Sequence, residues 1–145
     1  MITLPNILSN FTTSRICPDI IVNGLSVSST TVNSGDVFLA TKGLRVDGFD
    51  YIDEAKSRGA IAIIADWDGD LKTSQKFNEH QGKLGIPIIG VIGLAQHISC
   101  LASKFYSEPS KKINVMAVTG TNGKTTCVQL YTQLLNKLFE RDNIL

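Results

Sequence analysis

Apolar residues recur along this chain in two rhythms, and the alternation between them predicts the order of its elements. Leu4, Ile7, Leu8 and Phe11 fall at helical spacing and predict a short helix docked on a larger body. An extended segment at residues 20–22 follows, then Asn23-Gly24, a serine and threonine run over residues 26–31, and the turn Asn33-Ser34-Gly35-Asp36. Residues 37–40 read as a strand, ended by a polar loop that holds Lys42, Gly43, Asp47 and Gly48. Asp50 can cap a helix whose first turn carries Asp53 and Glu54 and whose stop is Gly59. The unbroken apolar run at residues 60–65 suits a strand covered on both faces. Residues 66–85 are polar and weakly patterned, and read as loops with one helical turn. A strand at residues 87–92 comes next, then a helix with Leu94, Ile98, Leu101, Ala102 and Phe105 on one face, closed by Pro109. Residues 113–118 read as a strand running into a glycine-rich loop. A last helix begins near Lys124, with Val128, Tyr131, Leu134, Leu135 and Leu138 on its inner face.

Strands alternating with helices predict an α/β fold. Only about two candidate strands belong with the loop near residue 120, fewer than a parallel sheet around such a loop requires. The expected organisation is therefore a small N-terminal α/β domain over residues 1–90, followed over residues 91–145 by the opening of a larger parallel-sheet domain built around a phosphate-binding loop.

Composition narrows the class without naming it. Hydrophobic residues make up 43% of the chain and charged residues 19%, enough for a packed core and too little charge for a disordered segment. Fourteen basic and thirteen acidic residues give a net charge of +1, which argues against a general nucleic-acid surface. Cys17, Cys100 and Cys127 have neither metal-ligand nor disulfide spacing and are expected to be reduced and at least partly buried, Cys127 by packing under the loop. His80 and His97 have no partner at ligand or triad spacing and are expected at the surface. Asp66, Asp68 and Asp70 alternate as in a calcium loop, but no glutamate follows at the required distance, so a polar turn is the better reading. A basic segment leading into an apolar run is missing at the N-terminus and no stretch reaches membrane-spanning length. The expected compartment is the cytoplasm, without membrane insertion.

The candidate chemistry lies at residues 115–126, where an apolar strand runs into Thr119-Gly120-Thr121-Asn122-Gly123-Lys124-Thr125-Thr126 and then a helix. Gly120 and Gly123 let the backbone turn with its N–H groups facing inward, and the helix adds its unpaired first-turn donors and dipole. A triphosphate fits such a cradle. Lys124 is placed to reach the β- and γ-phosphates as the catalytic cation, and the Thr125 hydroxyl to ligate the Mg²⁺ that travels with ATP. The first glycine of the usual phosphate-loop pattern falls at Val118, so the loop is a variant. The competing reading is a glycine-rich strand-to-helix turn that binds no nucleotide.

That octapeptide resembles the ATP loop of the Mur ligases, the ATP-dependent amide ligases that build the peptidoglycan stem peptide. Ser34-Gly35-Asp36-Val37-Phe38-Leu39-Ala40, Gly43, Asp47-Gly48, Tyr51-Ile52, Ala55 and Gly59-Ala60 are similar to the uridine-nucleotide domain of the branch acting on UDP-N-acetylmuramoyl-dipeptides, as is Phe105-Tyr106-Ser107-Glu108-Pro109-Ser110. The resemblance implies that residues 1–90 hold the UDP end of the substrate, through Val27 and Ser29 at the uridine and Leu44, Arg45 and Val46 in the loop beside the nucleotide-sugar. It implies ATP contacts from Gly120, Thr121, Asn122, Gly123, Lys124, Thr125 and Thr126, with Thr125 on the metal. It further implies transfer of the ATP γ-phosphoryl group to the terminal carboxylate of UDP-N-acetylmuramoyl-L-alanyl-D-glutamate and attack on the acyl phosphate by the amine of meso-diaminopimelate, lysine serving in sister enzymes. The partners implied are that UDP-sugar peptide and an amino acid, with the protein a monomer and these 145 residues inactive alone. Where the family commonly shows Asp-Ser-Arg this chain has Ser28-Ser29-Thr30, so a carboxylate and a guanidinium are replaced. The rival readings are a non-catalytic nucleotide or UDP-sugar binding fragment, and a ligase similar to folylpolyglutamate synthase.

Overall fold

Parallel strand pairing organises the larger part of the molecule. The computed structural model describes residues 2–11, 17–43 and 46–139. The chain divides into two compact units, Met1–Pro109 and Ser110–Leu145. In the first, β1 (Gly24–Ser26), β2 (Asp36–Ala40), β3 (Ala62–Asp66) and β4 (Ile88–Val91) form one sheet in the order β1-β2-β3-β4, each neighbouring pair parallel. The helices of this unit are α1 (Leu4–Leu8), α2 (Ile52–Ser57), α3 (Leu71–Leu84) and α4 (Leu94–Phe105).

Strand side chains alternate between two cores, as a pleated strand requires. Val37, Leu39, Ala62, Ile64, Ile89 and Val91 pack with Leu4 and Ile7 of α1 and Leu94 and Leu101 of α4. Phe38, Ala40, Ile63, Ala65 and Ile88 pack on the opposite face with Ile52 and Ala55 of α2 and Phe77 of α3. The result is a three-layer α/β unit whose β2, β3 and β4 are apolar because both faces are covered. The expected helix at residues 4–11, the three strands and the helix after Ile92 all form, within a few residues of their predicted bounds. The helix after Ile92, α4, packs on the first unit, whereas the sequence places it beyond a boundary near Gly90.

Two expectations of secondary structure do not hold. Residues 66–85 are not loops: α3 fills most of them, starting after Asp70 and ending at Gly85 in the left-handed region. Its pattern is weak because Phe77 is its one buried residue, so a single anchor replaces the usual apolar stripe. Residues 113–118 form no strand, and Ile113, Val115 and Met116 are exposed. A lone extended segment has no neighbour to take its backbone hydrogen bonds, and the described residues of the second unit supply none. For the same reason α5 (Lys124–Phe139) exposes Val128, Tyr131, Leu134 and Leu138, four of the five positions expected on an inner face, and half-buries the fifth, Leu135. Cys100 and Cys127 are exposed and free, against the expectation of burial, while Cys17 is half-buried, and burial pushes its thiol pKa up, with Asp19 adding to the rise. His80 and His97 are half-buried too, against the rings of Phe49 and Phe11.

Because Phe77 is the one fully buried residue of α3, with Leu84 partly buried against the same core, Phe77→Ala is expected to cost about 3–5 kcal/mol, whereas Leu71→Ala on the same helix, with Leu71 78% exposed, stays within about 0.5 kcal/mol. Urea denaturation followed by the fluorescence of Trp67, the one tryptophan, which packs against the same core, measures both.

Candidate functional site

The first unit gathers three segments at the ends of β1 and β2. Residues 27–30 follow β1, and Ser29–Thr31 close into a 3-10 turn with the Thr31 N–H on the Ser28 carbonyl at 3.2 Å. The Ser26 hydroxyl donates to the Ser28 carbonyl at 2.8 Å and lies 2.8 Å from the Thr31 hydroxyl, which fixes the turn from beneath. After β2 the backbone of residues 41–43 pairs with that of residues 46–48: the Gly48 N–H donates to the Thr41 carbonyl, the Gly43 N–H to the Val46 carbonyl, and Lys42 and Asp47 form an isolated antiparallel backbone bridge. Asp47 then caps the following turn by accepting the Phe49 N–H at 2.9 Å. Gly48 is required here by close approach, since a Cβ would lie 2.8 Å from both the nitrogen and the oxygen of Thr41.

Between these segments and the start of α2 lies a cavity of about 370 Å³, lined by Val27, Ser28, Ser29, Thr30, Phe38, Thr41, Gly43, Val46, Gly48, Tyr51 and Glu54. It falls in the size range of small-molecule clefts and combines apolar walls with a few polar groups. The structure thus brings together Val27 and Ser29, expected at the uridine, and Val46, expected in the loop beside the nucleotide-sugar; Leu44 and Arg45 of that loop lie outside the described residues. Ser29 is 7% exposed, and its hydroxyl donates to the Glu54 carboxylate at 2.7 Å. Thr30 is exposed and shares a 2.8 Å hydrogen bond with Ser28.

Glu54 is, with Thr41, a lining residue that sequence reasoning did not connect to the site. Acidic residues in a first helical turn are ordinary, because the dipole favours them there, so its sequence signal was indistinguishable from a helix start. Two other cavities carry less chemistry. One of about 560 Å³ is lined by Asp47, Phe49, Asp66, Trp67, Asp68, Thr73 and Lys76 among others, and its polar groups hold the fold itself. Asp66 accepts the N–H of Lys42 and of Leu94, Asp68 accepts from Asp70 and Thr73, and the Lys76 ammonium sits 4.2 Å above the Phe49 ring. The N–H of Asp70 and then the Thr73 hydroxyl hold the Asp68 carboxyl below its usual pKa. Another cavity, of about 640 Å³, has Gln81 as its one polar side chain.

The second unit holds the glycine-lysine loop. Gly120 and Gly123 have φ of 146° and 78°, conformations open to glycine, and α5 starts at Lys124 directly after them. The Lys124 ammonium donates to the carbonyls of Gly120 and Thr121, so it lies on the loop's own backbone. The Cys127 N–H is already bonded to the Gly123 carbonyl at 2.9 Å. Gly120, Thr121, Asn122, Gly123, Lys124, Thr125 and Thr126 are all exposed. Residues 110–139 contain four lysines and no acidic residue, a local positive charge that the near-neutral total conceals. Toward Mg²⁺ this stretch offers the Thr125 hydroxyl and no carboxylate, and no cluster of three metal-ligating side chains occurs among the described residues. That donor set fits a magnesium ion carried by phosphate oxygens and water, with Thr125 as one ligand.

A three-layer parallel sheet with a small-molecule cleft at its strand ends, joined to a unit carrying a glycine-lysine-threonine loop, is the setting in which the chain's relatives are met. The family model described as Mur ligase family, catalytic domain, matches residues 21–106, and the chain belongs to this family. It is 40% identical over 128 residues to the UDP-N-acetylmuramoyl-L-alanyl-D-glutamate--2,6-diaminopimelate ligase of Pseudomonas aeruginosa, covering 87% of this chain and 24% of that protein. The enzyme of the same name from Pseudomonas syringae pv. tomato is 39% identical over 126 residues, again 87% of this chain and 24% of the relative. The chain therefore spans about a quarter of the length of these relatives. Among solved structures, the UDP-N-acetylmuramoylalanyl-D-glutamyl-2,6-diaminopimelate--D-alanyl-D-alanyl ligase of Acinetobacter baumannii matches with a TM-score of 0.53 at 18% identity, over 94% of this chain and 28% of that one, which shows a shared fold. No helix among the described residues is long and apolar enough to cross a membrane.

If Gly48 shapes the cleft by close approach, Gly48→Ala must displace the end of β2, at a cost of about 1–3 kcal/mol typical of overpacking against backbone. Thermal denaturation measures the loss. Amide shifts at Thr41 and Gly43 are expected to move while those of α4 do not.

Proposed function

We propose that the first unit binds the uridine nucleotide end of UDP-N-acetylmuramoyl-L-alanyl-D-glutamate, and that the whole protein is an ATP-dependent ligase of peptidoglycan precursor synthesis that adds meso-diaminopimelate. The observation that carries the reading is the cleft in which Val27, Ser29 and Val46 meet, in the stretch matched by the family model. The relatives' shared name supports the substrate and the amino acid added.

In this reading the loop from Gly120 to Thr126 binds the ATP phosphates through its backbone N–H groups and the first turn of α5. The Lys124 ammonium moves from the Gly120 and Thr121 carbonyls onto the β- and γ-phosphates, an exchange of neutral acceptors for charged ones that favours the bound state. Thr125 contributes one oxygen to Mg²⁺, which when bound neutralises charge on the transferring phosphoryl group. The terminal carboxylate of the dipeptide takes the γ-phosphoryl, ADP leaves, and the incoming amine displaces phosphate from the resulting acyl phosphate to form the amide. The chain's residues hold the reactants and offset charge, and form no covalent bond with them.

The test is calorimetric titration of the 145-residue chain with UDP-N-acetylmuramoyl-L-alanyl-D-glutamate and, separately, with Mg-ATP. Ser29→Ala is expected to weaken the UDP-substrate by about 0.5–1.5 kcal/mol, the net worth of one neutral hydrogen bond. Lys124→Ala is expected to weaken ATP by about 1.5–3 kcal/mol, as for a hydrogen bond to a charged group. It should leave the UDP-substrate within about twofold, as for sites without shared partners. Loss of UDP-substrate binding in the Lys124 variant contradicts the two-site assignment.

A further inference from the structure

Within that uridine reading, on which this inference rests, we propose that Glu54 sets the hydrogen-bond polarity of the cleft. By taking the Ser29 hydroxyl proton it leaves Ser29 able only to accept, so the site selects a base that presents a ring N–H, as the imide of uracil does, over one that presents a bare ring nitrogen there, as cytosine does.

The direction of the bond follows from the partners. A carboxylate accepts and cannot donate, so at 2.7 Å the proton between Ser29 and Glu54 belongs to Ser29. The hydroxyl pair of Ser28 with Thr30 carries no such constraint, since either atom can donate. A serine hydroxyl has one proton, and once it is committed only lone pairs remain for a ligand.

The carboxylate is held in place. Its second oxygen lies 3.4 Å from the Arg58 Nε one turn further along α2, and α2 is anchored by Ile52 and Ala55, both buried. Ser29 is itself buried and seated in its 3-10 turn, so its hydroxyl does not turn away cheaply, while the Glu54 side chain, 38% exposed, is held on its two oxygens by Ser29 and Arg58. Facing a bare ring nitrogen, Ser29 would set lone pair against lone pair, and the cost is that of a buried acceptor left without a donor. Glu54 is thus a positioning residue that acts on the ligand through Ser29.

The experiment is titration of the 145-residue chain with UDP and with CDP, in the wild type, Glu54→Gln and Glu54→Ala. The wild type is expected to prefer UDP by about tenfold or more. In Glu54→Gln the carboxamide can turn its NH₂ toward Ser29, and in Glu54→Ala the hydroxyl rotates freely. Either change lets Ser29 donate, so the UDP-to-CDP ratio is expected to fall about fivefold or more. A purely structural role for Glu54 would weaken both nucleotides together and leave the ratio unchanged. That result in Glu54→Gln, which keeps the shape of the side chain and decides the matter should Glu54→Ala fail to fold, overturns the proposal. So does a wild type that binds CDP as well as UDP. If neither nucleotide binds the wild type, the uridine reading fails first and this inference with it.

Discussion

Every strand of the sheet runs in the same direction, and the position of the cleft follows from that. Parallel neighbours require the chain to return to the same starting edge after each strand, so whatever leaves the strands is collected at the opposite edge. The register of β1 against β2, Gly24 with Asp36 and Ser26 with Phe38, brings the serine turn after β1 beside the paired segments after β2. The path back to β3 runs through α2, which packs Ile52 and Ala55 on the sheet and turns Glu54 toward Ser29, 25 residues earlier. A short hydrogen bond between residues so far apart in sequence is a product of topology and of no local motif.

Asp66 extends the same arrangement across the sheet. One carboxylate oxygen accepts the Lys42 N–H from the loop after β2, and the other accepts the Leu94 N–H at the start of α4. The end of β3 therefore ties down the segments on both sides of it, and residues 41–43 and 46–48 border the cleft from a fixed base. The larger cavity beside Asp66 is rich in charge, yet its acids and its Lys76 serve these internal contacts. The smaller cleft holds Ser29, whose oxygen keeps accepting capacity after its proton is given to Glu54.

How far these features can be read in the sequence depends on how many residues carry each signal. β2, β3 and β4 are apolar runs covered on both faces, and α4 has a full stripe ending at Phe105, so three or more side chains announce each of them. Helix α3 has Phe77 alone in its core, below what periodicity can register. The run at residues 113–118 shows the reverse case: its composition suits a strand, but a strand is completed by neighbours, and the described part of its unit has none. Gly120, Gly123 and Lys124 were readable because a tight turn into a helix leaves few choices of residue. Ser29 was reached through resemblance, and Glu54 was not reached at all, because an acid near a helix start has an ordinary reason to be there. The positive stretch at residues 110–139 was hidden by averaging charge over the whole chain.

The function proposed for the first unit requires a uridine nucleotide to sit in the cleft formed by the segments after β1 and β2. Amide chemical shifts of the isotopically labelled chain, recorded during titration with UDP, test it most directly. Saturable shifts are expected at residues 27–30, at Thr41 and Gly43, and at residues 46–54, with the glycine-lysine loop unmoved. Shifts concentrated instead around Asp66 and Lys76, or at Gly120 to Thr126, would contradict it.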